Sequence, residues 1–461
     1  MSSLERSPLE TRVAFGHSLR TSTPRRSLAT LANRPDAFDP VAHLVSQGET
    51  RIAALLPLRY KRMLASSLAF YRGAALLMAQ DLALGPSTSL EVQICGDAHL
   101  ANFGVFSSPE RRLVFDVDDF DEVDRGPFEW DVKRLAASLV IASEQLGHAT
   151  DVQETVVLDA ARAYQCSIRR FATQTRLDVW YAALDVTSVM VDLRDFFSVE
   201  AARSVDGVIR RARGKGSRRT SEHLIDGDSG SPRLNLGLAH LSALGALEDE
   251  ALLTRADLEI VLEGYASTLS NDRRTLLRQF TPRDAAHQVV GVGSVGTQCY
   301  VWLLTGRDDD DIFFLQVKEA EQSVIAVARS LTSTGEAGER VVAGQRLMQA
   351  TPDVLLGWHT MEAGGRDRSF YVRQLYGGKA SIALDELDGP RLAAYARACA
   401  WVLARAHARS GRAAEIAGYV GTGDRFAQSI ATFALDYRDR NEADFREFQR
   451  AAAEGRIAVA P

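Results

Sequence analysis

Val92 to Ala142 reads VQICGDAHLANFGVFSSPERRLVFDVDDFDEVDRGPFEWDVKRLAASLVIA, and the other segments take their meaning from it. Two short apolar runs, Val92-Gln93-Ile94-Cys95 and Leu113-Val114-Phe115, have the composition of buried strands, and each leads straight into acid. Asp97 follows the first, with His99 and Asn102 just beyond it. Asp116 follows the second, with Asp118, Asp119, Asp121 and Glu122 crowded behind. Like charges at such density repel one another unless a cation sits among them, which points to a hard divalent ion. The competing account is a solvated acidic turn, with Asp97 and Asn102 only capping local structure. Each aspartate alone fits that account; the joint pattern favours a reaction centre.

A second informative stretch is Val289 to Ala320, VVGVGSVGTQCYVWLLTGRDDDDIFFLQVKEA. It predicts strand, glycine-rich turn, strand, acidic loop and strand, with Lys318 near the end of the last. A lone G-x-G-x-x-G is a weak signal, and its dinucleotide-binding form needs a helix directly after it. Here a strand follows. The alternative reading of Lys318 is an edge-strand lysine facing water.

Asp97, then Asn102, then the strand-borne Asp116 resembles the catalytic and metal loops of the protein-kinase-like superfamily, especially its aminoglycoside and choline phosphotransferase branch. The resemblance implies that Asp97 orients or deprotonates an acceptor hydroxyl, while Asn102 and Asp116 hold magnesium on the nucleotide phosphates. Asp118 adds charge beside that metal. Asp131, opening the helix after Pro127-Phe128-Glu129-Trp130, matches an acid that buttresses the catalytic loop from a helix start, where the dipole also favours it. The turn with Gly291, Gly293, Ser294 and Gly296 resembles a kinase nucleotide loop, and Lys318 its phosphate-pairing lysine. A helical glutamate should pair with Lys318; Glu321, Glu336 and Glu339 compete, with Glu339 preferred. Cys95 stands where the branch usually has histidine, and reads as a buried strand residue.

From about Arg51 to the C-terminus the chain also resembles a bacterial family, the domain of unknown function 2252. Cys95-Gly96-Asp97-Ala98-His99, Asp119-Phe120-Asp121-Glu122, Gly126-Pro127-Phe128-Glu129-Trp130-Asp131 and Gln316-Val317-Lys318-Glu319-Ala320 carry that likeness. Departures are Ser67-Leu68 in place of Pro-Phe, Asp118 in place of Asn, and no Asp near Gly377.

At 461 residues two lobes are expected. A net charge of −6 and ordinary composition suggest neither a nucleic-acid footprint nor a membrane-surface helix. No apolar run is long enough to span a bilayer and no signal core opens the chain, so the cytoplasm is the expected compartment. Four scattered cysteines suggest neither zinc site nor disulfide framework. Residues 1–40, rich in Ser, Thr, Arg and Pro, read as a flexible arm, and Arg210 to Arg219 as an exposed basic loop. Arg59, Arg62 and Arg72 either meet phosphate oxygens or neutralise the acidic stretch.

The order along the chain, catalytic loop first and nucleotide loop last, is the reverse of a kinase. The expectation is therefore an α+β, bilobal, circularly permuted kinase-like fold. Residues 41–287 and 380–461 build the large helical lobe and 288–379 a small β-rich lobe, with Gly377-Gly378 as hinge. The expected function is ATP- and magnesium-dependent transfer of phosphate to a hydroxyl of a small molecule or protein. A nucleotide-binding pseudokinase, nucleotidyl transfer on the same fold, and a glycosyltransferase using Asp116-Val117-Asp118 are the alternatives.

Overall fold

The computed structural model describes residues 6–185, 224–226, 231–247, 252–289, 291–332, 335–375, 384 and 387–461. Five helices come first: α1 (Leu9–Ser18), α2 (Pro40–Gly48), α3 (Leu56–Met63), α4 (Ser67–Gly73) and α5 (Ala75–Leu84). Strands β1 (Glu91–Ile94), β2 (Phe103–Ser107), β3 (Leu113–Val117) and β4 (Asp124–Pro127) follow. Then come α6 (Phe128–Gln145), α7 (Thr150–Thr173), α8 (Arg176–Tyr181) and a short β5 (Leu184–Asp185). The middle of the chain supplies β6 (Leu241–Ala243), α9 (Arg255–Ser267), α10 (Asn271–Leu277), β7 (Thr281–Gln288), β8 (Cys299–Thr305) and β9 (Ile312–Ala320). It continues through α11 (Val324–Ala328), α12 (Ala337–Met348), β10 (Gly357–Ala363) and β11 (Arg366–Gln374). Helices α13 (Gly389–His407), α14 (Ala413–Val420) and α15 (Arg425–Ala453) close it. The architecture is mixed α and β, and no described helix is long and apolar enough to cross a membrane.

Two cores organise these elements. Helix α6 is buried on every face from Phe128 to Ser143, because small and apolar residues fill it from Leu135 onward and the charges of its first two turns meet partners: Glu129 with Thr88, Asp131 with the Cys95 N–H, Lys133 with the Phe433 ring and Arg134 with Asp97. Around it pack α7, α13, α14 and α15, with Leu139, Tyr164, Leu403 and Phe426 in one apolar cluster that also takes in β1 to β3. The second core lies under a six-stranded antiparallel sheet of order β10-β11-β9-β8-β7-β6. There Trp302, Leu315 and Phe370 meet Leu258, Val261 and Tyr265 of α9. Elements from both chain ends thus share the helical body, while the middle of the chain carries the sheet.

The sheet extends further along the sequence than the expected boundary at 288. Its strand β6 precedes that residue and β7 ends on it, and α9 packs on the sheet rather than on the helical body. Val289 was expected to open a strand; β7 instead ends at Gln288, and Val292 to Ser294 form a single tight 3₁₀ turn. Gly377-Gly378 and Arg210 to Arg219 lie outside the described residues.

From residue 6 onward the expected flexible arm is instead a docked segment. Helix α1 crosses α14 at two glycines: a Cβ on Gly16 would sit 1.9 Å from the Glu415 carbonyl oxygen, and one on Gly418 would sit 2.1 Å from that of Val13. Arg12 pairs with buried Glu415 at 2.7 Å. The last carbonyls of α14, which no helical N–H can reach, accept from arginines of the arm: Gly418 O and Tyr419 O from Arg20 at 2.5 and 2.9 Å, and Val420 O from Arg25 at 2.8 Å. Arg34 bridges Asp81 at 2.7 Å and Asp444 at 2.6 Å. Composition alone suggested disorder because Arg12, Arg20 and Arg25, and Arg34 toward Asp444, find their partners some four hundred residues away. Gly418→Val should undock α1, costing roughly 1–3 kcal/mol by overpacking, and should expose Arg12, Arg20 and Arg25 to trypsin. A wild-type digestion pattern in that variant would refute the docked arrangement.

Candidate functional site

The turn after β1 is held from beneath. Asp131, buried in the first turn of α6, accepts from the backbone N–H of Cys95 at 2.6 Å and of Gly96 at 3.0 Å. Its third partner is His407 Nε2 at 3.2 Å, while His407 Nδ1 faces the Tyr164 hydroxyl at 2.7 Å. Gly96 has a φ of +77°, and a Cβ there would lie 2.1 Å from the Glu122 carbonyl oxygen. Only glycine fits this turn, where the loop touches the acidic stretch. Asp131 thus ties the turn to the start of α6 and, through His407, to the end of α13.

Asp97 is presented above this support. Its Oδ1 accepts from Arg134 Nε at 2.8 Å, and its backbone oxygen accepts from Asn102 Nδ2 at 2.8 Å. Arg134 is itself buried, stacked 3.7 Å over the Tyr71 ring and donating to the Tyr71 carbonyl at 2.8 Å. His99 Nδ1 accepts from the Ala101 N–H at 3.2 Å, so its proton is on Nε2, which lies 3.8 Å from Asp97. Burial pushes the His99 pKa down to about 4, so the ring is neutral near pH 7.

The acidic stretch divides between interior and cleft. Asp116 is 1% exposed, and its oxygens are occupied: Oδ1 accepts from Val117 N at 2.9 Å and Arg405 Nη2 at 2.5 Å, and Oδ2 from Ala350 N at 2.8 Å. Burial raises its pKa, with Arg405 opposing that shift. This corrects the expectation that Asp116 holds metal; strand β3 turns it into the core, where it binds α13. Asp118, past the strand end, borders the cleft with Asp119, and its N–H donates to the Asn102 carbonyl at 3.1 Å. Asn102, Asp118 and Asp119 are thus gathered on one wall.

Across the cleft stands Lys318 on β9, buried and ion-paired with Asp121. Burial opposes its charge, but Asp121 and then Tyr371 outweigh that and hold the ammonium's pKa above its ordinary value. Asp121 also accepts from the Tyr371 hydroxyl at 2.7 Å and from Ser294 Oγ at 3.2 Å. Asp121, and not Glu339, is therefore the partner of Lys318. Glu339 is exposed in the first turn of α12, where the helix dipole favours an acid.

Strands β7 and β8 pair antiparallel, and the turn between them carries Gly291, Gly293 and Ser294 to the cleft. Gly296, with a φ of +92°, faces Arg51 instead, and its carbonyl accepts from Ile52 N at 2.7 Å. The cleft encloses about 360 Å³, a size suited to a small ligand. Arg72 and Arg373 supply cationic walls beside the acids. Gln345 Oε1 and Thr351 Oγ1 of the lining residues are buried without a hydrogen-bond partner among the described residues, as in a site shaped for a polar ligand.

No group of three His, Cys, Asp or Glu side chains among the described residues is arranged to cage a metal. One or two carboxylates with an amide, completed by phosphate oxygens and water, is the donor set magnesium uses, and Asn102 with Asp118 fits it. Sequence reasoning assigned no role to Arg134, Asp121 or Arg373. Arg134 had a legible signal, lying one helical turn after Asp131 on the same helix and thus on the same side.

Residues 51–451 match the family model described as "Uncharacterized protein conserved in bacteria (DUF2252)". Comparison with curated proteins and with solved structures gave no match.

Proposed function

The chain belongs to the DUF2252 family, and on that footing we propose that it is an ATP- and magnesium-dependent phosphotransferase with a bilobal, circularly permuted kinase-like fold. The observation that carries this reading is the Lys318–Asp121 ion pair. It brings a strand-borne lysine and a glycine turn from the sheet against Asp97, Asn102 and Asp118 from the helical body, around one cleft. Gly291, Gly293 and Ser294 then lie over the phosphates, and Lys318 neutralises them. Magnesium, held by Asn102 and Asp118, supplies further charge neutralisation when bound. Asp97, fixed by Arg134, orients the acceptor hydroxyl and takes its proton as the new O–P bond forms and the bond to ADP breaks. Positioning and electrostatics suffice, with no covalent intermediate on the protein. A nucleotide-binding regulator is the second reading, favoured by one observation: an Asp97 oxygen is already committed to Arg134.

The test is the thermal midpoint of wild type and Lys318→Met with magnesium and ATP. A ligand at a hundred times its dissociation constant stabilises by about 2.7 kcal/mol, so wild type should shift by a few degrees, and Lys318→Met should not. Absence of any shift with ATP or GTP in wild type would defeat the proposal. Mass analysis of a turned-over acceptor separates phosphoryl from nucleotidyl transfer.

A further inference from the structure

Beside Asp97, adjoining the nucleotide cleft and sharing Arg72, Asp97, Asn102 and Gly293 with it, lies a small cavity of about 40 Å³ that is also bordered by Arg51 and Arg59. It shares Gln47, Arg51 and Glu122 with a larger cavity of about 330 Å³. Arg59 is the unusual member. It is wholly buried, and only its Nη2 is engaged, donating to Gln47 Oε1 at 2.9 Å and the Gly73 carbonyl at 3.0 Å. Its Nε and Nη1, and the Nε atoms of Arg51 and Arg72, are buried without partners among the described residues.

A buried guanidinium with unmet donors is strongly unfavourable, since it loses water and gains no acceptor. Three of the four carboxylates bordering the same cavity are engaged elsewhere, Asp97 with Arg134, Asp121 with Lys318 and Tyr371, and Glu122 with the Val324 N–H at 2.7 Å; the fourth, Asp119, accepts from the Asp121 N–H at 3.2 Å and acts with Asp97 on Arg72, not on Arg59. Desolvation also pushes the Glu122 pKa up to about 7, which reduces its ability to balance the arginines. Burial and then the neighbouring Arg51 drive the Arg59 pKa down by more than Tyr60, Glu321 and Glu122 hold it up. The cavity holds roughly the volume of three waters, close to the size of a carboxylate or the outer oxygens of a phosphate ester.

We infer that this pair of cavities is the acceptor subsite of the proposed phosphotransferase, and that Arg59, with Arg51 and Arg72, binds an anionic group, carboxylate or phosphate, on the hydroxyl-bearing acceptor. The inference rests on the kinase-like reading for the role of Asp97. It adds a substrate class: the acceptor is an anionic hydroxy compound and not a cationic amino sugar. The unmet Nε and Nη1 donors lie on different edges of the planar Arg59 guanidinium, so an oxyanion takes one charge-assisted hydrogen bond from Arg59, and the unmet Nε donors of Arg51 and Arg72 border the same cavity to supply others.

The test is calorimetric titration of the full-length protein with inorganic phosphate and, separately, acetate, against chloride at equal ionic strength. Wild type should bind one of the two anions, and which one identifies the acceptor's group. Arg59→Met should bind it roughly ten- to a hundredfold more weakly, while Lys318→Met should lose magnesium-ATP binding and keep the anion. Wild-type anion affinity in Arg59→Met, or no anion-specific binding in wild type, overturns the inference. Should Arg59→Met fail to fold, Arg51→Gln is read the same way, with unchanged affinity counting against it. Failure of the kinase-like reading appears separately, as loss of the ATP response in wild type with anion binding intact.

Discussion

Asp97→Asn should lower phosphoryl-transfer turnover by about 10²- to 10⁴-fold while leaving magnesium-ATP affinity within a few-fold of wild type. Asparagine keeps the shape of the side chain and can still accept from Arg134, so the turn held by Asp131 through Cys95 and Gly96 stays in place. What is lost is the charge and the capacity to take a proton from the acceptor. Alanine is the poorer variant, because it would strip buried Arg134 of its carboxylate and confound turnover with stability. The phosphates, in this reading, are held by Lys318 and the glycine turn, none of which the substitution touches. The measurement is single-turnover transfer beside nucleotide titration. Wild-type turnover in Asp97→Asn would remove Asp97 from the chemistry, and joint loss of nucleotide binding would make its role structural.

Local pattern carried much of the fold. Apolar runs at Leu113 to Phe115, Cys299 to Leu304 and Ile312 to Val317 did become β3, β8 and β9, and the helical spacing after Leu392 became α13. The glycine turn and Lys318 were also legible, because a strand on either side of glycines leaves few other arrangements. What local pattern could not assign was which acid of Asp116, Asp118, Asp119 and Asp121 does what. These residues lie within one turn of chain, and each is decided by a partner far away: Arg405 for Asp116, Lys318 and Tyr371 for Asp121. The search for a helical glutamate failed for the same reason. The cation on β9 was satisfied by the acidic loop itself, leaving Glu339 to its helix end. The N-terminal segment misled in the opposite sense. Its arginines looked like solvated charge until the carbonyl-rich end of α14 supplied their acceptors.

Asp116→Ala and Asp118→Ala, two residues apart, should fail in different ways, and the contrast tests the division of the acidic stretch between core and cleft. Removing Asp116 leaves Arg405, itself 1% exposed, as a buried charge with no carboxylate, and strands the Ala350 N–H. Breaking a buried pair in this way costs about 3–5 kcal/mol, a large fraction of ordinary domain stability. Arg405 Nε and Nη1 already lack hydrogen-bond partners among the described residues, so little in those surroundings can take up the loss. The effect should be present without nucleotide or metal and indifferent to either. Asp118, at the cleft wall beside Asn102, should show the reverse: Asp118→Ala should melt within about 1 kcal/mol of wild type when unliganded, yet lose the magnesium-dependent part of the ATP response. Denaturant unfolding with and without magnesium-ATP reads both quantities. An Asp116→Ala protein of normal stability that lost only its magnesium response would restore Asp116 as a ligand and move the metal off the wall formed by Asn102 and Asp118. A stable core pair and a metal-specific Asp118 would instead mean that β3 uses its last aspartate to anchor the helical body, and that the chemistry begins where the strand ends.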